Sequence, residues 1–441
     1  MARLKYIRFP LERGTVVDDA LRFVPQEIVD QRTRLKVQVV AERIPQLLWG
    51  NGDFWSEANL WFLARTRLLL GGRLAEETIG SNGKDLLAYA DWLELSGVHW
   101  WQCDKRDDQR PLNLYRGFLV GSYEQGVIAP TLASRRMATL RTFYRWLLSE
   151  EILSPGFPLW SERNIRIAYE DAFGFRRHVE AVQTSLDIKA VKRIGEVPLE
   201  DGLQPVSLEV RDAILDLAHR RSSHELFLML SLGFWSGLRL GTVCDLKIQT
   251  IENAIQISEC PALKHISVGP MANPPVHMKL GQSSDGIVVP MQLLDELLDY
   301  SVSLTRGKRV ALANPEHKHL LFLTKFGNPY GAGASDRSPT VNAEMSRLKR
   351  LAREEGLNID DFTFHWSRAT FATTWARAAR ADGHLHQFMP TLKRMLAHKH
   401  DRATERYIQW VEKEAVRAAV MDEFTRTMFG RFYQATGEAG V

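Results

Sequence analysis

Apolar residues recur at helical spacing in two separate blocks of this 441-residue sequence. The first block runs from Trp55 to about Leu148, and the second begins at Leu208. Between them, residues 161–205 are polar, mixed in charge and poorly periodic, which is typical of a linker between domains. A chain of this length can form two or three domains, each with a hydrophobic core of its own. The pattern therefore predicts a largely helical protein that is divided near its middle.

The predicted domains follow from these blocks. Residues 1–50 show no strong period, which indicates an N-terminal arm or an appended subdomain. Residues 51–160 are expected to form a helical domain. After the linker at 161–205, residues 206–430 are expected to form a second domain that ends in a tail helix.

Local patterns add detail to both domains. The Asn82-Gly83 pair predicts a break, with a helix following from Leu86 to Leu95. The second domain contains three β-type runs, and the turn-rich residues 281–286 between the last two predict a β-hairpin. The runs are Ala254 to Ser258, Pro275 to Leu280 and Ile287 to Val289. The predicted fold class is mainly α with a small antiparallel β-sheet: a helical first domain followed by a mixed α/β domain.

One predicted helix, from Thr131 to Leu148, combines an apolar face with an excess of positive charge. No acidic residue lies between positions 131 and 148, and four arginines do: Arg135, Arg136, Arg141 and Arg145. A basic helix of this kind can lie along a phosphate backbone, so these four residues are candidate DNA contacts. A solvated charged face explains the same pattern equally well.

The composition restricts the function less than the motifs do. The net charge is +4, which permits nucleic-acid binding without arguing for it. Cys103, Cys244 and Cys260 lie far apart, which fits a reducing compartment rather than a disulfide or zinc framework. No apolar run is long enough to span a membrane, and the first residues lack the pattern of a signal peptide, so a cytoplasmic protein is expected.

The second domain carries five short motifs whose order and spacing are informative together. They are Gly237-Leu238-Arg239, Lys279, His365-x-x-Arg368, Leu396-Ala397-His398 and Tyr407, which follows His398 by nine residues. In this order they resemble the active site of the tyrosine recombinases, the phage integrase family. The resemblance covers about residues 206–410, and it implies that the first domain is the helical core-binding domain of such an enzyme.

The resemblance implies a role for each residue. Tyr407 would be the nucleophile that attacks a DNA phosphodiester and forms a 3′-phosphotyrosine. Arg239 and Arg368 would hold the phosphate oxygens, with His365 and His398 assisting, and Lys279 would protonate the leaving 5′ oxygen. Because the phosphotyrosine conserves the energy of the broken bond, rejoining would need neither ATP nor a metal ion, and no cofactor is expected.

The sequence departs from the family pattern at several positions. The family often has an acidic residue three positions after the first arginine, where this chain has Thr242; the nearest acid is Asp245. Ser367 and Ala369 flank Arg368 where the family usually has leucine and histidine. The segment around Lys279 is longer than usual, and Lys264 is an alternative for the catalytic lysine.

The resemblance also implies partners. Double-stranded DNA would be the substrate, and a homo-oligomer, a tetrameric synapse, would assemble on it with accessory recombination proteins. The gene would belong to a mobile genetic element. An apolar pattern in the tail, at Val416, Val420, Phe424 and Met428, predicts docking on a neighbouring protomer or packing on its own domain.

Other functions fit parts of the same sequence. An inactive relative that only binds DNA, a relaxing enzyme similar to the type IB topoisomerases, and a purely structural protein are the alternatives. The pairs His384/His386 and His398/His400 invite a metal site, but they border helices and lack an acidic partner at zinc-like spacing, which argues against one.

Overall fold

The computed structural model describes most of the chain. The described residues are 1–10, 12–17, 20–29, 36–38, 40–70, 73–74, 76–103, 106–170, 176–189, 199, 203–279, 284–331 and 338–437. The chain divides into two compact units. Unit 1 comprises Met1–Ala168 and His178–Arg193, and unit 2 comprises Tyr169–Arg177 and Ile194–Val441.

Unit 1 is built on four helices: α1 (Ser56–Leu70), α2 (Glu76–Ser96), α3 (Pro111–Glu124) and α4 (Pro130–Ser149). Proline stands at the first turn of α3 and α4, where its missing N–H costs no helical hydrogen bond. Large aromatic side chains fill the core between the helices, among them Trp55, Trp61, Tyr89, Tyr115 and Phe143. Each of the four helices contributes at least one of these rings, so burial of the aromatic side chains holds the helices together.

The helix α2 runs through the break that the sequence predicted at Asn82-Gly83, so that prediction was wrong. Asn82 donates a hydrogen bond to the Thr139 hydroxyl of α4 at 3.2 Å. A Cβ on Gly83 would lie 2.7 Å from the Pro45 side chain, so glycine allows a close approach to the strand that carries Pro45. Packing on both sides outweighs the low helix propensity of the pair.

The N-terminal residues contribute strands to unit 1. The strands β1 (Arg3–Pro10) and β6 (Val40–Leu48) pair antiparallel, with Arg3 opposite Leu48. Ala41, Ile44 and Leu47 of β6 are buried in the same core as the helices. Four further strands form two antiparallel pairs, β2 (Glu12–Val17) with β3 (Ala20–Pro25) and β4 (Glu27–Val29) with β5 (Lys36–Gln38).

The segment predicted as a linker, 161–205, has structure of its own. The strands β7 (Glu162–Glu170) and β8 (Arg176–Thr184) form a two-stranded sheet. Leu186 and Ile188 after β8 are buried in the core of unit 1.

Unit 2 contains ten helices in its described part. They are α5 (Leu208–Arg221), α6 (His224–Ser236), α7 (Leu240–Cys244), α8 (Ile248–Glu252), α9 (Met291–Val302), α10 (Leu304–Leu312), α11 (Pro339–Glu354), α12 (Phe364–Ala381), α13 (Leu385–Met395) and α14 (Asp401–Gly437). The apolar helix α6 is buried along most of its length and packs against α5 and α12. The described chain as a whole is mostly helical with small antiparallel sheets, so the predicted fold class is confirmed.

A three-stranded antiparallel sheet completes unit 2, in the order β11 (Ser284–Pro290), β10 (Leu263–Val268), β9 (Ile255–Gln256). The partner of β11 is therefore Leu263–Val268, and the predicted pairing with Pro275–Leu280 was wrong. Pro274 and Pro275 have no N–H to donate to a strand ladder, whereas β10 carries alternating apolar residues that reach the core. Leu280 and residues 281–283 lie outside the described residues.

The described helices include none with the length and apolar content required to cross a bilayer.

Candidate active site

The end of α6 sets the position of Arg239. Gly237 closes the helix in the left-handed conformation, with φ of 65°, and its N–H donates to the Gly233 carbonyl at 3.2 Å. A Cβ at this position would lie 2.5 Å from the Phe371 ring of α12, so the turn requires glycine on steric as well as conformational grounds. Arg239 follows as the residue that caps the short helix α7, and its side chain is half-buried.

Arg368 of α12 joins three of the predicted motifs. The residue is 3% exposed, and its guanidinium donates to the Gly237 carbonyl at 2.7 Å and to the Leu396 carbonyl at 2.6 Å. The first bond ties it to the Gly-Leu-Arg motif and the second to the Leu-Ala-His motif. Hydrogen bonds from a charged donor are the stronger kind, so the two carbonyls fix the plane of the guanidinium.

His398 and Tyr407 lie against each other. The two rings are nearly parallel, with an interplanar angle of 16° and a centroid separation of 6.1 Å. His398 Nδ1 is 2.9 Å from the Thr404 hydroxyl, one turn before Tyr407 on α14, and this hydrogen bond fixes the orientation of the imidazole. Ala397 has a positive φ of 47°, which turns the chain between α13 and α14 so that His398 faces α14.

The Tyr407 side chain is fully buried among apolar residues of α12, α13 and α14. A DNA phosphate could therefore reach its hydroxyl only if α14 or the side chains that cover it moved. His365 stands in the first turn of α12, three residues before Arg368, and is half-buried. Side chains three apart in a helix share one face, so His365 and Arg368 point to the same side of α12.

The two candidate lysines occupy different places. Lys279 is exposed in the connection between β10 and β11 rather than in a strand. Lys264 lies within β10, where it is opposite Val289 of β11 and Gln256 of β9. The connection is the more accessible position of the two.

Asp245, noted from the sequence only as the acid nearest to Arg239, makes a contact that the sequence did not predict. The Asp245 carboxylate accepts a hydrogen bond from the His277 backbone N–H at 2.6 Å. The partners are 32 residues apart, and nothing in the local sequence pattern connects them.

Three of the four candidate DNA-contacting arginines of α4 have acidic partners within unit 1. Arg135 binds both carboxylate oxygens of the buried Asp85, at 2.8 and 3.2 Å. Arg141 pairs with Asp187, and Arg145 pairs with Glu162. Burial raises the pKa of Tyr115, and the nearby guanidinium of Arg136 opposes that shift.

The two histidine pairs are accounted for in part by other contacts. His386 lies 3.0 Å from Glu412, and His398 binds Thr404. Within the described ranges, no three His, Cys, Asp or Glu side chains are arranged to hold a metal ion.

Three solved structures illustrate what the fold is similar to. The XerH site-specific recombinase bound to palindromic difH substrate aligns with a TM-score of 0.48 and 12% identity, over 78% of this chain and 80% of that chain. The Tn1549 transposon integrase in complex with circular intermediate DNA gives 0.46 and 12%, over 80% and 94%. A lambda integrase dimer bound to a COC′ core site gives 0.43 and 15%, over 78% and 93%.

The sequence comparisons are more direct. No curated protein matches the chain. The phage integrase family matches residues 207–414, which include every motif of the site. Its N-terminal SAM-like domain matches residues 66–151, which include the last turn of α1 and all of α2, α3 and α4. The chain therefore belongs to the phage integrase family, the tyrosine recombinases.

Proposed function

We propose that this protein is a site-specific recombinase that cleaves and rejoins DNA through a 3′-phosphotyrosine bond at Tyr407. The observation that carries the proposal is the set of contacts made by Arg368, which binds Gly237 beside Arg239 and Leu396 beside His398. Tyr407 stacks on that histidine, so both ends of the predicted site meet in one unit.

The arrangement suits attack on a phosphodiester. A phenol has a pKa near 10, so only about one part in a thousand is ionised at neutral pH, and nearby cations must favour the phenolate. In the proposed step, the Tyr407 oxygen bonds to phosphorus, the bond to the 5′ oxygen breaks, and Lys279 supplies the proton that this oxygen needs. Arg239 and Arg368 stabilise the added charge on the phosphate, because guanidinium groups match the geometry of phosphate oxygens.

His398 and His365 complete the proposed site. With Nδ1 held by Thr404, His398 would direct Nε2 to a phosphate oxygen, and His365 would assist as a base or as a second phosphate ligand. The reverse reaction uses the energy stored in the phosphotyrosine, so the proposed cycle runs without ATP or a metal ion.

The decisive experiment is covalent trapping on a nicked suicide substrate that carries the recombination site. Wild-type protein should give an adduct that resists SDS and is removed by protease, and Tyr407→Phe should bind the DNA without forming it. Tyr6→Phe, at a partly exposed tyrosine of β1, is the matched control and should trap DNA normally. An adduct in Tyr407→Phe would remove Tyr407 as the nucleophile.

The same assay separates the alternatives. Binding without any adduct would favour an inactive DNA-binding relative. Relaxation of supercoiled DNA that lacks a specific site would favour a topoisomerase-like activity. The proposed partners are double-stranded DNA, further copies of this chain in a synapse, and accessory recombination proteins. We propose that the protein acts in the cytoplasm and belongs to a mobile genetic element.

We also propose that the four arginines of α4 contact DNA phosphates, which requires three of them, Arg135, Arg141 and Arg145, to exchange an acidic partner for the DNA backbone. Each phosphate contact that is lost should lower the slope of log K against log salt by about 0.9. Arg145→Gln is the clearest test, because both it and Glu162 are about half exposed. An unchanged slope would mean that the ion pair with Glu162 is only structural.

A further inference from the structure

We propose that Asp245 is a positioning residue that holds the loop carrying Lys279 in register with Arg239. The inference rests on the proposed function, since Lys279 donates a proton only in that reaction. It goes further by assigning a role to a residue outside the family's motif, in a chain that has Thr242 where the family often has an acid.

The loop in question leaves β10 after Val268. Its first part is closed on itself, because the Val276 N–H donates to the Gly269 carbonyl at 3.1 Å. Met278 is buried in the core of the unit, and Lys279 next to it is exposed. The loop therefore presents Lys279 at its surface from a backbone that is anchored just before it.

The anchor is the Asp245 carboxylate. Its Oδ2 accepts from the His277 N–H at 2.6 Å and from Lys247 Nζ at 2.5 Å. Asp245 ends the short helix α7, whose first residue follows Arg239 directly. One five-residue helix thus links the arginine proposed to hold the phosphate with the loop proposed to supply the proton.

A second attachment lies on the other side of Lys279. The Ser284 hydroxyl at the start of β11 donates to the Arg394 carbonyl at 3.0 Å, two residues before Leu396. The Asn253 side chain also binds the Asn273 carbonyl in the same loop at 3.0 Å. The Asp245 contact is the one that joins the loop to α7, which begins directly after Arg239, among the hydrogen bonds named for the described part of the loop.

The distances make this contact matter for catalysis. Lys279 is two residues from the anchored amide, so its Cα lies within about 9 Å of the His277 nitrogen. A general acid must come within about 3 Å of the atom it protonates, and a displacement of about 1 Å can cost about a hundredfold in rate. Loss of the Asp245 contact should therefore act through the position of Lys279.

A substrate with sulfur in place of the 5′ bridging oxygen tests this directly. A thiolate leaves without a proton donor, because thiols have a pKa of about 8.5, far below that of an alcohol. Lys279→Ala should slow single-turnover cleavage of ordinary DNA by about a hundredfold, and Asp245→Ala should slow it by at least about tenfold. Both should cleave the sulfur substrate at near the wild-type rate.

Two further variants sharpen the result. Asp245→Asn keeps an oxygen that can accept from His277 and should recover part of the rate on ordinary DNA. Asp216→Ala removes an exposed aspartate that pairs with Arg220 on α5, and it should cleave both substrates normally. Amide hydrogen exchange at His277 should quicken in Asp245→Ala and not in Asp216→Ala.

The outcomes distinguish the two levels of the proposal. The positioning role is overturned if Asp245→Ala cleaves both ordinary DNA and the sulfur substrate slowly. It is also overturned if Asp245→Ala cleaves ordinary DNA at the wild-type rate. Normal cleavage by Lys279→Ala would instead remove the proposed proton donor, and with it the positioning role, and Lys264→Ala would then be the next variant. Unchanged amide exchange at His277 in Asp245→Ala would show that the Asp245 carboxylate does not hold this amide, whatever the cleavage rates are.

Discussion

At the scale of single residues, the contact between α6 and α12 explains one departure from the family pattern. A Cβ on Gly233 would collide with the hydroxyl of Ser367, which itself donates to the Phe364 carbonyl at 2.6 Å. The helices are so close here that a leucine at position 367 would not fit. Small residues at both positions therefore bring Arg368 near the end of α6.

Gly237→Ala should destabilise unit 2 by about 1 to 3 kcal/mol, because the added methyl meets the Phe371 ring in a backbone conformation that alanine disfavours. Gly307→Ala is the matched control: Gly307 lies in α10 with open space around it, and alanine there should stabilise by about 0.5 to 1 kcal/mol. Denaturant unfolding of each variant measures the difference. Equal effects at the two glycines would contradict the steric argument.

Arg368→Lys should abolish most cleavage although it keeps the positive charge. An ammonium group cannot donate to the Gly237 and Leu396 carbonyls in the same plane, so the contact between the motifs is lost. The yield of the covalent DNA adduct should fall, and the free energy of unfolding should fall by about 1 to 3 kcal/mol. Arg380→Lys, at the exposed end of the same helix, should change neither.

At the scale of elements, α4 shows how tertiary structure changes the meaning of a charge pattern. Within the helix the arginines have no acidic neighbour, yet segments distant in sequence bring acids to three of them. Asp85 of α2 pairs with Arg135, Glu162 of β7 with Arg145, and Asp187 after β8 with Arg141. The ion pair of Arg135 with the buried Asp85 is the least screened of these, since the carboxylate has little access to water.

The pairing of Arg141 with Asp187 predicts an acid-sensitive contact. Burial acts to raise the pKa of Asp187, but hydrogen bonds from the Thr184 N–H and hydroxyl and the Arg141 guanidinium outweigh it, so the pKa lies below its ordinary value. The carboxylate therefore stabilises unit 1 above the unfolded-state pKa of about 3.9, and this stabilisation is lost as pH falls through the folded-state pKa.

Asp187→Asn should flatten that part of the pH dependence. The free energy of unfolding of the variant should be lower than that of wild type at pH 6, and the difference should shrink toward pH 3. Glu124→Gln, at an exposed position of α3, serves as the control and should leave the profile unchanged. A constant difference between Asp187→Asn and wild type across the range would rule out the charge as the cause.

At the scale of the whole molecule, each unit has its own hydrophobic core. The buried residues of the aromatic-rich core of unit 1 are all different from those of the two main cores of unit 2. Tyr407 belongs to one of those in unit 2, together with Leu396 and residues of α12 and α13. Its burial ties the proposed nucleophile to the packing of α14.

Separate cores predict separable losses of stability. Leu140→Ala in unit 1 and Leu297→Ala in unit 2 each remove a fully buried side chain and should cost about 2 to 5 kcal/mol. Hydrogen exchange should quicken only in the unit that carries the substitution. Loss of protection in both units from either change would show that they unfold together.

The tail of α14 remains a prediction at this scale. Val416 and Val420 are more than half exposed, whereas the side chains of Phe424 and Met428 lie outside the described residues. This exposure of Val416 and Val420 is what docking on a neighbouring protomer would require.

The sequence alone determined the helical character of the chain, the order of the motifs and the identity of the proposed nucleophile. These depend on spacing along the chain: apolar residues at helical intervals mark helices such as α4 and α6, and the nine-residue offset from His398 marks Tyr407. The chemistry expected of arginine, histidine and tyrosine also follows from residue type.

Only the tertiary structure decided what those residues touch. The continuity of α2, the partner of β11, the acids that face α4 and the anchor between Asp245 and His277 all depend on groups far apart in sequence. Local propensity at each position is worth less than about 1 kcal/mol, so packing and hydrogen bonds between distant segments override it.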